Sequence, residues 1–273
     1  MAVSAGSPGG PAVQLRRALL AAAGGVLLYA GHPPLDVGVA GWLALVPLLA
    51  LARDVADAPR PLRTGFGWGL LAGAVCFAAL LAWIVRFGVL PFLLLVLLEA
   101  AFIGAFVAGL AAWGTRPWRP LVAAVWWVAV EVARSSWPFG GLPWGQLGLT
   151  QHDGGPLLPL ARTLGVYGVS LACAAVAVCV EEAWQRLRRR ERRGWRSLVV
   201  ALRTPALALV VVLAVAVVAG GSPPPATGRR LDVAAVQGND RDLPPGTTSR
   251  GSSGSWTRWS PPPPRWPTPS RRT

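Results

Sequence analysis

Long runs of apolar residues, separated by short polar or basic stretches, dominate the chain as far as Gly220. Seven of these runs approach the length at which a helix crosses a bilayer, which is about 20 residues. They cover residues 13–30, 37–52, 65–86, 88–113, 121–134, 162–181 and 198–219. The pattern predicts an all-α polytopic membrane protein, with a transmembrane helical domain over residues 13–219.

The remaining segments have other patterns. Residues 1–12 are short of apolar side chains, and we expect them to be disordered. Residues 220–230 are rich in glycine and proline, which indicates an extended linker. Residues 231–239, Leu-Asp-Val-Ala-Ala-Val-Gln-Gly-Asn, are typical of a buried opening strand. Residues 240–273 contain a single leucine among proline, serine and arginine, so this tail is predicted to be disordered.

Arginines set the predicted orientation, because short loops rich in positive charge remain in the cytoplasm. All 26 basic residues are arginine, and the net charge is +14. The predicted spans place all four arginine clusters on one side of the membrane. These clusters are Arg16 and Arg17, residues 53–63, residues 116–119 and residues 186–196. The N-terminus is therefore predicted to be cytoplasmic and the C-terminal part extracytoplasmic. Because the charge lies in short loops and no basic folded module is recognisable, nucleic acid is not expected as a partner.

Small residues recur at a spacing of four in two of the predicted spans. Gly69 and Gly73 form a GxxxG pair, and Gly104 with Ala108 forms a similar pair. Such pairs allow two helix backbones to approach closely. By contrast, Cys76, Cys173 and Cys179 lie singly in apolar runs and are interpreted as small packing residues. We expect no metal and no cofactor.

The segment from residue 135 to residue 161 has an unusual composition for a loop between spans. Tryptophan, proline and glycine are frequent in it, which favours a re-entrant or interfacial loop that can hold a lipid. We predict that Trp137, Pro143, Trp144 and Gln151 contact the substrate. The alternative is an aromatic belt at the membrane surface with no role in ligand binding.

Several ionisable residues could carry chemistry or fix the structure. Glu131 and Arg134 share one helical face and are predicted to form a structural ion pair before the loop. Glu99 lies in an apolar run and needs an internal partner or a water-filled cleft. His152 and Asp153 could act as an acid/base pair, but adjacent side chains seldom face each other and no nucleophile is nearby. No catalytic residue is assigned.

Several short motifs then occur in order over residues 15–239. The most specific are Leu142-Pro-Trp144, Gly165-Val-Tyr-Gly-Val-Ser170 and Val236-Gln-Gly-Asn239. Together they resemble apolipoprotein N-acyltransferase, especially its actinobacterial members, although the first motif is usually Phe-Pro-Trp in that family. The resemblance implies eight membrane helices, with a periplasmic nitrilase-like α/β domain between the seventh and the eighth. Residues 231–239 would be the first strand of that domain.

The resemblance also implies a reaction and its location. A cysteine takes an acyl chain from a phospholipid as a thioester and passes it to the N-terminal amine of a diacylglyceryl-cysteine apolipoprotein, during lipoprotein maturation in the bacterial inner membrane. A glutamate serves as the base and a lysine supports the oxyanion. The sequence has no lysine, and no cysteine or glutamate follows Glu191.

We therefore expect the chain as written to be truncated or frame-disrupted after Asn239 and to be catalytically inactive. The alternative function is that of a noncatalytic membrane anchor for a partner, such as a glycosyltransferase that acts on polyprenyl lipids. Residues 186–196 would then bind the partner or a lipid. The simpler interpretation of this basic run is a solvated loop that sets topology.

Overall fold

The computed structural model describes residues 10–116, 118–153 and 156–188, together with residues 206, 210, 214 and 215. This part of the chain is helical and contains no β-strand. Five predictions lie wholly or mostly outside the described residues: the N-terminal segment 1–12, the span 198–219, the linker 220–230, the strand 231–239 and the tail 240–273. The basic run 186–196 is described only as far as Arg188.

Seven α-helices occur within the described residues. They are α1 (Pro11–Ala30), α2 (Gly38–Leu43), α3 (Leu45–Ala56), α4 (Pro61–Leu80), α5 (Val89–Trp113), α6 (Arg119–Ser136) and α7 (Ala161–Arg188). Short 3₁₀ helices cover Ala82–Phe87, Leu147–Gln151 and Leu158–Leu160. Proline occupies an early position in α1, α4 and α6, where its missing N–H costs no helical hydrogen bond.

Within the part of the chain that the structure describes, five helical segments are long and apolar enough to cross a membrane. They are Pro11–Ala30, Gly38–Ala56, Pro61–Leu80, Val89–Trp113 and Leu158–Arg188. Each corresponds to one of the predicted spans. The predicted span at residues 121–134 is helical as α6, but α6 carries Arg119, Glu131 and Arg134 and is not among the five. The described part of the chain is therefore that of a helical membrane protein.

The closest helix pair is α4 with α5. A Cβ atom added to Gly69 would lie 2.9 Å from the Cα atom of Gly104, and one added to Gly73 would lie 2.6 Å from the Cα atom of Ala100. Both distances are too short for any side chain. The small residues at a spacing of four therefore form a close helix contact, as their spacing predicts.

Basic residues of α1, α3 and α6 lie close together at one end of the bundle, which we call the basic end. The Nε atom of Arg17 lies 2.8 Å from an oxygen of Asp54, so α1 is joined to α3. The Nε atom of Arg53 lies 2.8 Å from an oxygen of Glu181, so α3 is joined to α7. Arg119 at the start of α6 donates to the carbonyl oxygen of Leu49. These three arginines belong to three of the four arginine clusters that are predicted to share one side of the membrane.

Candidate functional site

The residues that follow α6 fold over the end of the bundle opposite the basic end. Gly141 and Gly145 have φ values of +74° and +72°, which favour glycine because it has no Cβ atom. A Cβ atom on Gly141 would overlap the backbone of Ser135 and Ser136, and one on Gly145 would lie 2.5 Å from a methyl group of Leu80. The chain therefore turns back tightly onto the ends of α4 and α6.

Arg134, near the end of α6, holds this loop in place. Its guanidinium is buried and donates to the carbonyl oxygens of Leu142 at 3.1 Å, Trp144 at 2.7 Å and Gly145 at 3.3 Å. It also lies 2.8 Å from a carboxylate oxygen of Glu99 on α5, with both side chains 2% exposed. Its charge is therefore balanced inside the protein while its remaining N–H groups fix the loop backbone.

The structure corrects the predicted pairing of Glu131 with Arg134. Arg134 pairs with Glu99, which is 35 residues away in sequence. Glu131 instead accepts a hydrogen bond of 2.6 Å from the backbone N–H of Leu147. Next to it, the hydroxyl of Ser170 on α7 accepts a hydrogen bond from the N–H of Gly148. Two side chains from two helices thus satisfy the first N–H groups of the 3₁₀ helix Leu147–Gln151.

His32, which the sequence analysis did not assign to the site, is buried beneath the loop. Its Nδ1 atom lies 2.8 Å from the carbonyl oxygen of Leu28, and its Nε2 atom lies 3.2 Å from that of Gln146. Burial lowers the pKa of His32, and the nearby Arg134 charge acts in the same direction. A neutral ring donates only one of these two hydrogen bonds. Its position after α1 gives no sequence signal for this contact, which spans 114 residues.

Gln151 is buried, and its amide is occupied by contacts within the protein. Its oxygen accepts a hydrogen bond of 2.5 Å from the indole N–H of Trp42, and its nitrogen donates to the carbonyl oxygen of Gly38 at 2.8 Å. It therefore joins α2 to the 3₁₀ helix. Gln151 also lines a pocket of about 370 Å³ with Trp42, Thr150 and Asp153. The predicted substrate contact through Gln151 would have to form at this pocket.

Large aromatic side chains surround the loop at the protein surface, and we call them the aromatic rim. Its members are Trp83, Phe87, Trp137, Phe139 and Trp144, all of them exposed. Trp83 lies between Trp144 and Phe87, with ring centroids 6.0 Å and 6.1 Å away. The predicted contacts Trp137, Pro143 and Trp144 are thus accessible on the surface, whereas Gln151 lies against α2.

His152 and Asp153 do face each other, contrary to the argument made from their adjacency. The Nε2 atom of His152 lies 3.0 Å from an oxygen of Asp153 and 3.4 Å from an oxygen of Asp36. The ligand atoms of these three residues lie within 4.8 Å of one another. We assign no cation to them, because the Nε2 atom of His152 already lies against both carboxylates and because His152 and Asp153 are exposed.

Comparison with known proteins identifies the family. Residues 24–179 match the family model for the apolipoprotein N-acyltransferase N-terminal domain. The chain is 32% identical over 239 residues to the apolipoprotein N-acyltransferase of Geobacter metallireducens, covering 84% of this chain and 44% of the relative. For the proteins of the same name from Verminephrobacter eiseniae and Mycolicibacterium smegmatis the identities are 34% and 36%, covering 59% and 63% of this chain.

The chain spans less than half the length of these curated relatives: 44% of the first, 32% of the second and 29% of the third. The match falls on the helices and on the loop held by Arg134, which includes the Leu142-Pro-Trp144 motif. A helical membrane bundle with this loop is thus what the chain shares with them. The chain belongs to the apolipoprotein N-acyltransferase family.

Proposed function

We propose that this chain is a membrane domain for lipoprotein N-acylation that binds a phospholipid acyl donor at the aromatic rim. Its relatives are named for transfer of an acyl group to apolipoproteins. The donor of such a reaction lies in the bilayer, so its binding site must open to lipid. The aromatic rim does so at the end of the bundle where Trp83, Trp137 and Trp144 are exposed.

The observation that carries the proposal is the anchoring of the loop by buried polar groups. Arg134 binds three carbonyl oxygens of the loop, and Glu131 binds the first N–H of the following 3₁₀ helix. An aromatic belt without a ligand would need no such support, because tryptophan side chains occupy the headgroup region on their own. A fixed backbone presents Trp144 and Pro143 in one arrangement, which reduces the entropy lost when a lipid binds.

The same proposal places the aromatic rim on the extracytoplasmic side of the bacterial inner membrane. The arginines at the basic end would then face the cytoplasm, in accordance with the distribution of positive charge in membrane proteins. Residues after Gly220 would be extracytoplasmic. Alkaline phosphatase fused after Gly220 should be active, and a fusion within residues 186–196 should be inactive. The reverse pattern would contradict the orientation.

We further propose that acyl transfer itself does not occur on the residues of this chain. A thioester intermediate requires a thiolate that can reach the phospholipid carbonyl. Cys76, Cys173 and Cys179 are all buried in membrane-spanning helices. Among carboxylates that could serve as a base near the loop, Glu99 is paired with Arg134 and Glu131 with a backbone N–H.

Binding of phosphatidylethanolamine to the purified chain in detergent tests the first proposal, with native mass spectrometry as the measurement. Trp144→Ala should reduce the bound fraction several-fold, because the indole supplies both apolar area and an N–H donor. Trp184→Ala is the matched control, since both indoles are 50% exposed and Trp184 lies near the end of α7. Equal binding by the two variants would contradict a donor site at the aromatic rim.

A further inference from the structure

A second surface feature lies at the start of α4, far from the aromatic rim. We call it the α4 stripe, and it consists of Arg60, Arg63, Thr64, Gly67, Trp68 and Leu71. These residues line a pocket of about 500 Å³. Leu80 at the other end of α4 lies beneath Gly145 of the loop. Because a helix rises 1.5 Å per residue, the two arginines of the stripe lie roughly 25–30 Å from Leu80 along α4.

Most members of the α4 stripe are exposed on the outer side of α4, while Trp68 is partly buried and packs against the core. Each member lies three or four residues from another, so they share one side of α4, and Arg60 is the residue just before the helix begins. The opposite face carries Gly65, Gly69 and Gly73 and packs against α5. A Cβ atom added to Gly67 would meet nothing within 4 Å, so the stripe contains an open notch between Thr64 and Leu71.

The two arginines of the α4 stripe are exposed and differ from the other arginines of the basic end. Arg17 and Arg53 are paired with carboxylates. The guanidinium groups of Arg60 and Arg63 have no hydrogen-bonding or ionic partner within residues 10–116, 118–153 and 156–188. Asp57 is the acidic residue of the short loop before them. Two cationic groups one helical turn apart are therefore available to an external anion.

The side chains of the α4 stripe change along the helix in the same order as the parts of a phospholipid, from the charged headgroup to the apolar acyl chain. It begins with two guanidinium groups, continues with the Thr64 hydroxyl and the Trp68 indole, and ends at the exposed side chain of Leu71. From Arg60 to Leu71 the helix rises about 16 Å. That length matches the distance from the headgroup region into one leaflet, whose hydrocarbon is about 15 Å thick.

We propose that the α4 stripe binds an anionic phospholipid of the leaflet at the basic end. Arg60 and Arg63 bind the phosphate by charge-assisted hydrogen bonds. The Thr64 hydroxyl donates to a further phosphate oxygen, and one acyl chain lies in the notch at Gly67 and along Leu71. This site is separate from the aromatic rim in place and in ligand charge, and it does not depend on the proposed function.

Native mass spectrometry of the whole chain in detergent, titrated with phosphatidylglycerol or phosphatidylcholine, tests the proposal. Phosphatidylglycerol should bind more tightly, and the double variant Arg60→Gln/Arg63→Gln should weaken its binding about tenfold or more. The matched control is Arg116→Gln/Arg188→Gln, which removes the same charge from the ends of other helices. The control should change binding by less than about twofold, since those arginines lie outside the stripe.

A second variant tests the acyl chain position without changing charge. Gly67→Trp fills the notch, and it should fold because nothing lies within 4 Å of the added Cβ atom. It should weaken phosphatidylglycerol binding about threefold or more while its circular dichroism remains that of the parent. Equal losses in the two arginine double variants would show attraction to net charge alone and would overturn the proposal. Unchanged binding by Gly67→Trp, or equal binding of both lipids, would also overturn it.

Discussion

Arg134 binds more groups than any other side chain near the loop, and it joins three separate parts of the chain. Glu99 comes from α5, the guanidinium from α6, and the three carbonyl oxygens from the loop. The face of the guanidinium lies 5.2 Å from the ring centre of Phe77 on α4. A planar group with five N–H donors can serve all these acceptors at once, whereas an ammonium group cannot.

Replacement of Arg134 by methionine should therefore destabilise the protein strongly. It leaves Glu99 buried without its partner, a change that costs about 3–5 kcal/mol. Arg134→Lys should recover only part of this stability, because lysine keeps the charge and loses the fork geometry. Thermal unfolding in detergent would measure both effects. The double variant Glu99→Gln/Arg134→Met should be less destabilised than the sum of the single changes, and strict additivity would contradict direct coupling.

The buried side chain of His32 makes the stability of the folded protein depend on pH. Because burial lowers its pKa in the folded protein, the unfolded chain binds a proton more readily than the folded one. The contribution of neutral His32 is therefore present above the unfolded pKa of about 6.5 and decreases as pH falls below it. His32→Gln should lower the sensitivity of the melting temperature to acid between pH 7 and pH 5. His152→Gln, at an exposed position, is the control, and an equal change in both variants would contradict the assignment.

At the scale of elements, local patterns were predictable from the sequence and long-range partners were not. The four-residue spacing of Gly69 and Gly73 identified the contact with α5, because backbone approach depends on small residues of the same helix. The apolar run at residues 65–86 did not mark where α4 ends. The helix stops at Leu80, and a 3₁₀ helix follows over Ala82–Phe87. Hydropathy measures composition and is insensitive to a change in helix type.

In the candidate site, too, local features were predictable from the sequence and long-range partners were not. The composition of the loop indicated exposed tryptophans, and Trp137 and Trp144 are exposed. The pairing of Glu131 with Arg134 was wrong because spacing within one helix says nothing about a carboxylate on another helix. Glu99 was recognised as needing a partner, but only the packing of α5 against α6 supplies Arg134. The ligand contact of Gln151 stays a prediction, and its hydrogen bond with Trp42 could not be inferred from the sequence.

The packing of α4 on α5 can be tested with two glycines of one helix. Gly69→Leu should destabilise the protein by at least about 2 kcal/mol, since its side chain would overlap the backbone of Gly104. Gly67→Leu is the control on the opposite face, where nothing lies within 4 Å of the added Cβ atom. Thermal unfolding of the two variants is the measurement. Similar melting temperatures would show that α4 and α5 do not pack as described.

At the scale of the whole molecule, the helices separate two chemically different ends. The basic end carries paired and exposed arginines, and the opposite end carries the aromatic rim and the loop held by Arg134. The interior between them contains the three cysteines, each buried in a helix that can cross the membrane. The described domain therefore has no exposed thiol among its cysteines.

Acyl transfer needs several groups placed together, so it depends on the molecule as a whole. The purified 273-residue chain should bind phospholipid but should form no acyl-enzyme with phosphatidylethanolamine and should not modify a diacylated lipopeptide. Mass spectrometry of the intact chain before and after hydroxylamine treatment is the measurement. A hydroxylamine-sensitive adduct that disappears on mutation of Cys76, Cys173 or Cys179 would place the chemistry inside the membrane.

The contacts of Arg134 with the loop have a consequence for sequence variation. They reach the carbonyl oxygens of Leu142, Trp144 and Gly145, which are main-chain atoms that every amino acid possesses. The main-chain path of the loop therefore depends little on which side chains the loop carries. A substitution of Leu142 by another residue would keep the same carbonyl oxygen available to Arg134. Substitutions can therefore change the surface chemistry of the loop while the main-chain contacts of Arg134 are kept.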